Sequence, residues 1–121
     1  MTTRQVREFY TTVRHQPASG PGTAIIELHG EINAFAEETL NAAYAEVEKQ
    51  NPAAVLLNFS DVDYINSTGI AVIVGLLAQA RRSHFRLLTC GLTPHYEQIF
   101  RITRLSDFMS IYPDESAALN Q

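Results

Sequence analysis

VLLNFSDVDYINSTGIAVIVGLL, residues 55–77, is the stretch that decides the fold. It starts within AAVLLNF (residues 53–59), a continuous apolar run of strand length that ends in the polar cluster SDVD, as expected for a strand buried on both faces. It continues into residues 67–82, which could be a buried strand because 72–74 are β-branched, although their length and their Ala, Gln and Arg tail favour a helix. The stretch therefore predicts a buried strand followed directly by a helix.

The sequence before this stretch predicts a β-hairpin and another helix. Aromatic and β-branched residues alternate over 6–14, the connection HQPASGPG holds two prolines and two glycines, and an apolar run resumes over 23–32. From Ala34 to Gln50 apolar residues recur at helical spacing, and Pro52 ends the pattern. The apolar positions of this predicted helix are Phe35, Leu40, Ala43, Tyr44 and Val47.

The sequence after the stretch continues the alternation of strands and helices. FRLLTCGL (85–92) predicts a strand, a proline opens a predicted helix over 94–103, and PDESAAL (113–119) predicts a short terminal helix. The predicted order is β-β-α-β-α-β-α-(β)-α. This order predicts one α/β domain over 1–121, with a mostly parallel central sheet, an N-terminal β-hairpin and helices packed on the sheet.

Composition excludes several classes of protein. Hydrophobic residues make up 45% and charged residues 18%, which is typical of a globular chain. The net charge of −4 shows no excess of basic residues of the kind that binds nucleic acid or an anionic membrane. The longest apolar run, 70–78, is too short for membrane insertion, and no signal-peptide pattern is present. The single cysteine Cys90 and four scattered histidines show no metal-ligand spacing, so we expect a cytoplasmic protein without a metal site.

The turn between the buried strand and its helix is the most informative candidate site. Ligands collect at the carboxyl ends of strands in parallel α/β sheets, and Asn66, Ser67 and Thr68 stand at such an end. These side chains could simply cap the helix by accepting a backbone N–H, or a hydroxyl could receive a phosphoryl group at the positive end of the helix dipole. We expect no enzyme, because GxSxG and a Ser-His-Asp order are absent.

The helix that follows the turn is apolar on all sides. Ile70, Ile73, Val74 and Leu77 form one stripe that is predicted to face the sheet. The opposite side is apolar too, so it is covered either by neighbouring helices or by a partner that docks on a surface beginning at Ser67. That opposite side consists of Ala71, Val72, Gly75, Leu76 and Ala78.

The remaining candidate residues have simple structural interpretations. Gly30 and Glu31 are predicted to form a turn after the second strand, and Asp61 and Asp63 are predicted to be solvated loop charges. Cys90 is predicted to be a small buried hydrophobe. Three cations are predicted to offset the negative end of a helix dipole; they are Arg81, Arg82 and Arg86.

The chain resembles the STAS domain family, and within it the stand-alone bacterial anti-sigma-factor antagonists. The resemblance rests on LHGEIN (28–33), residues 55–77, LLTCGLTP (87–94) and IFRITRLSDFMSIYPDESAAL (99–119), in that order. It implies a STAS-like fold and a partner-switching protein of transcription regulation. It implies that a serine kinase of the histidine-kinase-like ATPase type, which is also the anti-sigma factor, phosphorylates Ser67, and that a metal-dependent serine phosphatase removes the phosphate. ATP and magnesium would belong to the kinase, so no cofactor is expected here.

The same resemblance implies the site residues. Ser67 would be the phosphoacceptor, with Thr68 as second choice, and the unphosphorylated form would bind the kinase. The implied partner-binding residues are Asn33, Asn66, Ser67, Thr68, Gly69 and Val72. The family often has Asp at the positions of Asn33 and Asn66. The alternatives are a non-phosphorylated STAS scaffold or structural subunit of a signalling or lipid-transport complex, and a small nucleotide-binding or hydrolytic enzyme, which is disfavoured because no phosphate-binding glycine loop is present.

Overall fold

The structure, a computed structural model, describes residues 7–16 and 22–120. It contains a five-stranded sheet in the order β1-β2-β3-β4-β5, in which β1 and β2 pair antiparallel and the others pair parallel. The elements in chain order are β1 Tyr10–Gln16, β2 Thr23–Ile32, α1 Ala36–Gln50, β3 Ala54–Ile65, α2 Ser67–Arg82, β4 Arg86–Cys90, α3 Pro94–Ile102, a 3₁₀ turn Leu105–Asp107, β5 Ser110–Tyr112 and α4 Glu115–Leu119.

The architecture predicted from the sequence is confirmed. The sheet is mostly parallel with an N-terminal hairpin, and helices pack on it in the predicted order. The first strand begins at Tyr10, later than predicted; residue 6 and most of the Pro/Gly-rich connection lie outside the described residues.

The main core lies between one face of the sheet and three helices. Alternate residues of β2 and β3, such as Ile26 and Leu57, point to this side because side chains alternate across a strand. They meet Leu40 of α1, Ile73 of α2 and Phe100 of α3, all almost fully buried. The three helices are therefore held on one side of the sheet.

A smaller core covers part of the opposite face. The intervening residues of the same strands, Ile25 and Leu56, pack with Leu88 and Cys90 of β4 and with Ala118 of the short α4. Cys90 has no exposed surface, which confirms its prediction as a small buried hydrophobe.

The structure corrects the prediction that the third strand ends at Phe59. β3 continues to Ile65 and pairs with β2 along the polar segment as well, through two irregularities in the register. Asp61 and Asp63 therefore lie in a strand and not in a loop. Gly30 and Glu31 form no turn either, because both lie within β2 at one of these irregularities. Gly30 has a φ of 93°, a conformation that favours glycine.

The first helix begins later than predicted, and this leaves Phe35 outside it. The Asn33 carbonyl accepts the Ala36 N–H at 3.0 Å, so the chain makes a tight turn before α1 begins at Ala36. Phe35 is 90% exposed, and its predicted place on the apolar face of a helix is wrong.

The buried face of α2 also differs from the predicted stripe. Val74 was expected to face the sheet but is 45% exposed, whereas Val72 and Leu76 are buried. Most of the sheet-facing residues fall on a regular 3.6-residue period; the buried set is Gly69, Val72, Ile73, Leu76, Leu77 and Ala80. Arg81 and Arg82 lie in the last turn of α2, as predicted, whereas Arg86 is the first residue of β4.

Candidate functional site

Two loops meet at the carboxyl end of the parallel strands β2 and β3. The last residues of these strands, Ile32 and Ile65, are paired in the sheet. The Asn66 N–H donates to the Ile32 carbonyl at 3.2 Å, and a Cβ on Gly69 would lie only 2.0 Å from the same oxygen. The first turn of α2 is therefore pressed against the end of β2, so the loop that starts at Asn33 lies beside the start of α2.

Asn66 caps α2, which confirms the capping interpretation for this residue. Its backbone is extended, and its Oδ1 atom accepts the Gly69 N–H at 2.8 Å. The same oxygen accepts the Thr68 hydroxyl at 2.8 Å. The Thr68 hydroxyl is therefore already engaged in a hydrogen bond with the capping side chain.

Ser67 is the first residue of α2 and is exposed. Within residues 7–16 and 22–120, no side chain or backbone group forms a hydrogen bond with its hydroxyl. A serine hydroxyl is a weak nucleophile unless a base takes its proton. This hydroxyl is therefore accessible but not activated by the part of the chain that the structure describes.

Asn33 is held by hydrogen bonds from both atoms of its amide. Oδ1 accepts the Phe35 N–H at 2.9 Å, and Nδ2 donates to Oε2 of Glu31 at 2.8 Å. The Glu31 side chain is buried, with 6% of the residue exposed. Asn33 thus shapes the loop that presents Phe35 to solvent. A cavity of about 430 Å³ adjoins this loop, and it is lined by Arg7, Glu8, Phe9, Glu31, Asn33, Phe35 and Thr39.

The structure brings the six predicted contact residues together at this end of the sheet. Ser67 and Thr68 are exposed, and Asn33 and Asn66 are half-buried. Gly69 and Val72 are buried, Val72 with 8% exposure, so they lie beneath the surface and support it. The exposed position of Phe35 in this loop was not predicted, although an asparagine two residues earlier is a known signal for an Asx turn ahead of a helix.

A second polar cluster lies on β2 and β3, further from α2. The Arg7 guanidinium forms ion pairs with Asp61 and Asp63. The imidazole of His29 lies 2.7 Å from Asp61 and stacks on Tyr10 with ring centroids 4.3 Å apart. The hydrogen bond with His29, followed by that with Arg7, lowers the pKa of Asp61. Asp61 and Asp63 are therefore solvent-exposed, as predicted, but they lie in a strand and both are paired with Arg7.

The described residues hold no metal-type cluster and no membrane-spanning helix. No group of three or more His, Cys, Asp or Glu side chains within them is arranged to hold a metal ion. Of the helices in this part of the chain, none is long and apolar enough to cross a membrane.

Fold and site together define a class of protein: an α/β domain with an N-terminal hairpin, whose second long helix begins at an exposed, asparagine-capped serine. The chain belongs to the STAS domain family, whose model matches residues 15–118. It is 34% identical over 92 residues to a Bordetella bronchiseptica protein named "Putative anti-sigma factor antagonist BtrV", covering 76% of this chain and 77% of that protein.

Solved structures share this fold. An anti-sigma factor antagonist from Mycobacterium paratuberculosis superimposes with a TM-score of 0.70 at 20% identity, covering 93% of this chain and 92% of that one. The phosphorylated form of the Bacillus cell fate determinant SpoIIAA superimposes with a TM-score of 0.63 at 19% identity, covering 88% and 95% of the two chains. At these identities the likeness shows the fold alone.

Proposed function

We propose that this protein is an anti-sigma factor antagonist that works by partner switching. In its unmodified form it binds a serine kinase of the histidine-kinase-like ATPase type that also serves as the anti-sigma factor. Phosphorylation of Ser67 releases it, and a metal-dependent serine phosphatase restores the first state. The kinase holds ATP, so the exchange takes place in the cytoplasm, and the chain acts as a single regulatory domain, not as an enzyme.

One observation carries the choice of Ser67. Its hydroxyl is exposed and makes no hydrogen bond within the described residues, whereas the neighbouring Thr68 hydroxyl donates to the Asn66 cap. A phosphoryl group on Thr68 would break that bond and disturb the cap, but one on Ser67 would leave the cap intact. The name of the Bordetella relative supports the antagonist role, and the phosphorylated form of SpoIIAA supports a role that includes phosphorylation.

The transfer step needs a base that the kinase supplies. Oγ of Ser67 forms a bond to the γ-phosphorus of ATP, the bond from that phosphorus to the bridging oxygen of ADP breaks, and the hydroxyl proton passes to a base of the kinase. This chain contributes an accessible hydroxyl at the start of α2. The phosphate then lies at the positive end of the α2 dipole, where anions are favoured.

The docking surface consists of the exposed and half-exposed residues around Ser67. We assign to it Asn33, Asn66 and Thr68, and we add Phe35, whose 90% exposed ring is a suitable hydrophobic anchor. A phosphate in the middle of this surface carries a charge of about −1.5 to −2 and must be desolvated on binding. A penalty of about 3 kcal/mol lowers affinity more than a hundredfold.

The amides at positions 33 and 66 are compatible with this role. Asn66 accepts both hydrogen bonds that an aspartate cap would accept, and Asn33 donates to Glu31, which an ionised aspartate could not do. Two fewer negative charges beside Ser67 also reduce repulsion of the incoming phosphate. The amide at position 66 therefore keeps the cap, the amide at position 33 adds a bond to Glu31, and together they change the charge of the site.

The proposal is tested by phosphate transfer and binding with purified components. Each histidine-kinase-like serine kinase encoded in the source genome is incubated with ATP and with the wild-type chain, Ser67→Ala or Thr68→Ala, and phosphate incorporation is measured. Binding of the wild-type chain, Ser67→Ala and Ser67→Glu to each kinase is measured by calorimetry. We expect Ser67→Ala to abolish incorporation and keep binding, Thr68→Ala to keep incorporation, and Ser67→Glu to weaken binding at least tenfold. Unchanged incorporation into Ser67→Ala would overturn the assignment.

The same experiment separates the alternatives. Tight binding of a partner that neither phosphorylates Ser67 nor responds to Ser67→Glu would show a constitutive scaffold. ATP or GTP turnover by the purified chain alone would show an enzyme. Either result would refute the partner-switching role.

A further inference from the structure

The outer face of α2 opens onto an apolar groove at its C-terminal half. The groove has a volume of about 300 Å³ and lies between α2 and the segment that includes the 3₁₀ turn. Val74 and Phe108 are exposed by 45% and 47%, and Leu77 and Leu105 form a buried floor. The complete lining is Val74, Leu77, Ala78, Arg81, Thr103, Arg104, Leu105 and Phe108. Clustered exposed apolar side chains of this kind mark interaction surfaces more often than isolated ones.

The charges at the groove are positive. The Arg81 guanidinium carbon lies 4.8 Å from the centre of the Phe108 ring, and within the described ranges no carboxylate forms an ion pair with Arg81. Arg104 is paired with Asp107 at 2.7 Å, so these two charges offset each other. The groove therefore offers one uncompensated cation beside an apolar floor, which complements a carboxylate next to apolar side chains.

The groove is continuous with the proposed docking surface. Exposed residues at 67, 71, 74, 78 and 81 follow one line along α2, with alternating spacings of four and three residues. Such spacing keeps side chains on one face of a helix. Over these 14 steps the line is about 21 Å long, so it leads from Ser67 to Arg81 without crossing a buried residue.

We propose that this groove receives an acidic amphipathic helix of the same partner that binds at Ser67. Apolar side chains of that helix lie against Val74 and Phe108, and a carboxylate pairs with Arg81. This inference rests on the proposed function for the identity of the partner, and it adds a second contact that does not depend on the phosphorylation site. It also explains why Val74 and Ala78 of α2, and Phe108 after the 3₁₀ turn, are exposed.

The test is site-specific photo-crosslinking in cells of the source organism. The full chain carries p-benzoylphenylalanine in place of Ala78 in the groove or, as matched control, in place of Ala45, an exposed alanine of α1. We expect the Ala78 position to cross-link a helical segment of a serine kinase in which acidic residues flank apolar ones. Arg81→Glu should lower the yield at least fivefold, and Arg82→Glu, which reverses an adjacent charge outside the groove lining, less than twofold.

Several outcomes would overturn the inference. These are a yield no higher than at Ala45, a cross-linked segment without acidic residues, a second copy of this chain as the product, or equal effects of the two arginine reversals. Phosphorylation of Ser67 is measured by mass spectrometry in the same cells. Phosphorylated Ser67 without a groove product would refute the groove alone, whereas a kinase product without any phosphorylation would refute the proposed switch alone.

Discussion

Two glycines of α2 give opposite predictions for the same substitution. Gly69 and Gly75 both lie inside the helix, where glycine is less favourable than alanine by about 0.5–1 kcal/mol. A Cβ on Gly75 would meet nothing within 4 Å, so Gly75→Ala should show the full gain. A Cβ on Gly69 would lie 2.0 Å from the Ile32 carbonyl oxygen and 2.7 Å from its carbon, so there the sign should reverse.

The size of the reversal follows from the geometry. To bring the Cβ of an alanine at 69 from 2.0 Å to the 3.0 Å that real contacts require, α2 must move about 1 Å from the end of β2. Overpacking of this kind costs about 1–3 kcal/mol. The movement also stretches the hydrogen bond from Asn66 to Ile32, which is 3.2 Å long and contributes about 1 kcal/mol. After the helix gain is subtracted, Gly69→Ala should destabilise by about 2 kcal/mol.

Urea unfolding followed by circular dichroism measures both variants. With a slope of about 1.5 kcal/mol/M, Gly69→Ala should lower the midpoint by about 1 M and Gly75→Ala should raise it by about 0.5 M. The reasoning would be refuted if Gly69→Ala were as stable as the wild type, or if both variants shifted in the same direction.

Three further predictions use the same purified protein. Asn66→Ala, which removes the α2 cap, should lower the free energy of unfolding by about 1 kcal/mol, and Asn66→Asp should restore most of it; equal losses would argue against the cap. The hydrogen bond from Arg14 lowers the pKa of Glu115, so the stability it contributes is present at neutral pH and is lost as the pH falls through the folded-state value. Glu115→Gln should therefore flatten the loss of stability as the pH falls below about 5, and an unchanged pH profile would contradict this. Burial, followed by the charge of Glu115, raises the pKa of the Cys90 thiol to about 11, so a thiol reagent at about pH 8 should label it only after unfolding, whereas rapid labelling of the native protein would show an accessible thiolate.

The order of elements could be predicted because it follows from hydrophobic period and turn chemistry. β2 and the first part of β3 are continuous apolar runs between breakers, and α1 repeats at helical spacing. The end of β3 could not be predicted, since its polar residues resemble a loop. They remain in the strand because residues remote in the sequence supply partners for Asp61, namely Arg7, which precedes β1, and His29, which lies in β2.

The site could be predicted only in its local part. The cap at Asn66 depends on residues within one turn, which sequence patterns reveal. The buried face of α2 depends on a tertiary contact, because a helix that is apolar on all sides has no face preferred by pattern. The approach of Gly69 to Ile32 fixes that face, and Val72 is then buried while Val74 is exposed.

The contact between Gly69 and Ile32 also determines how a phosphate on Ser67 could act. It holds the first turn of α2 on the end of β2, and the Asn66 cap holds the same turn from within, while the Ser67 hydroxyl is exposed to solvent. The helix dipole stabilises a phosphate at this position by about 0.3–1 kcal/mol, so phosphorylation should not unfold the first turn of α2. In the proposed switch, the energetic difference between the two forms therefore arises in the complex, where the partner must desolvate a charged group. Such a switch needs no second conformation of this chain, because the residues that hold the first turn of α2 in place do not include Ser67, the residue that would be phosphorylated.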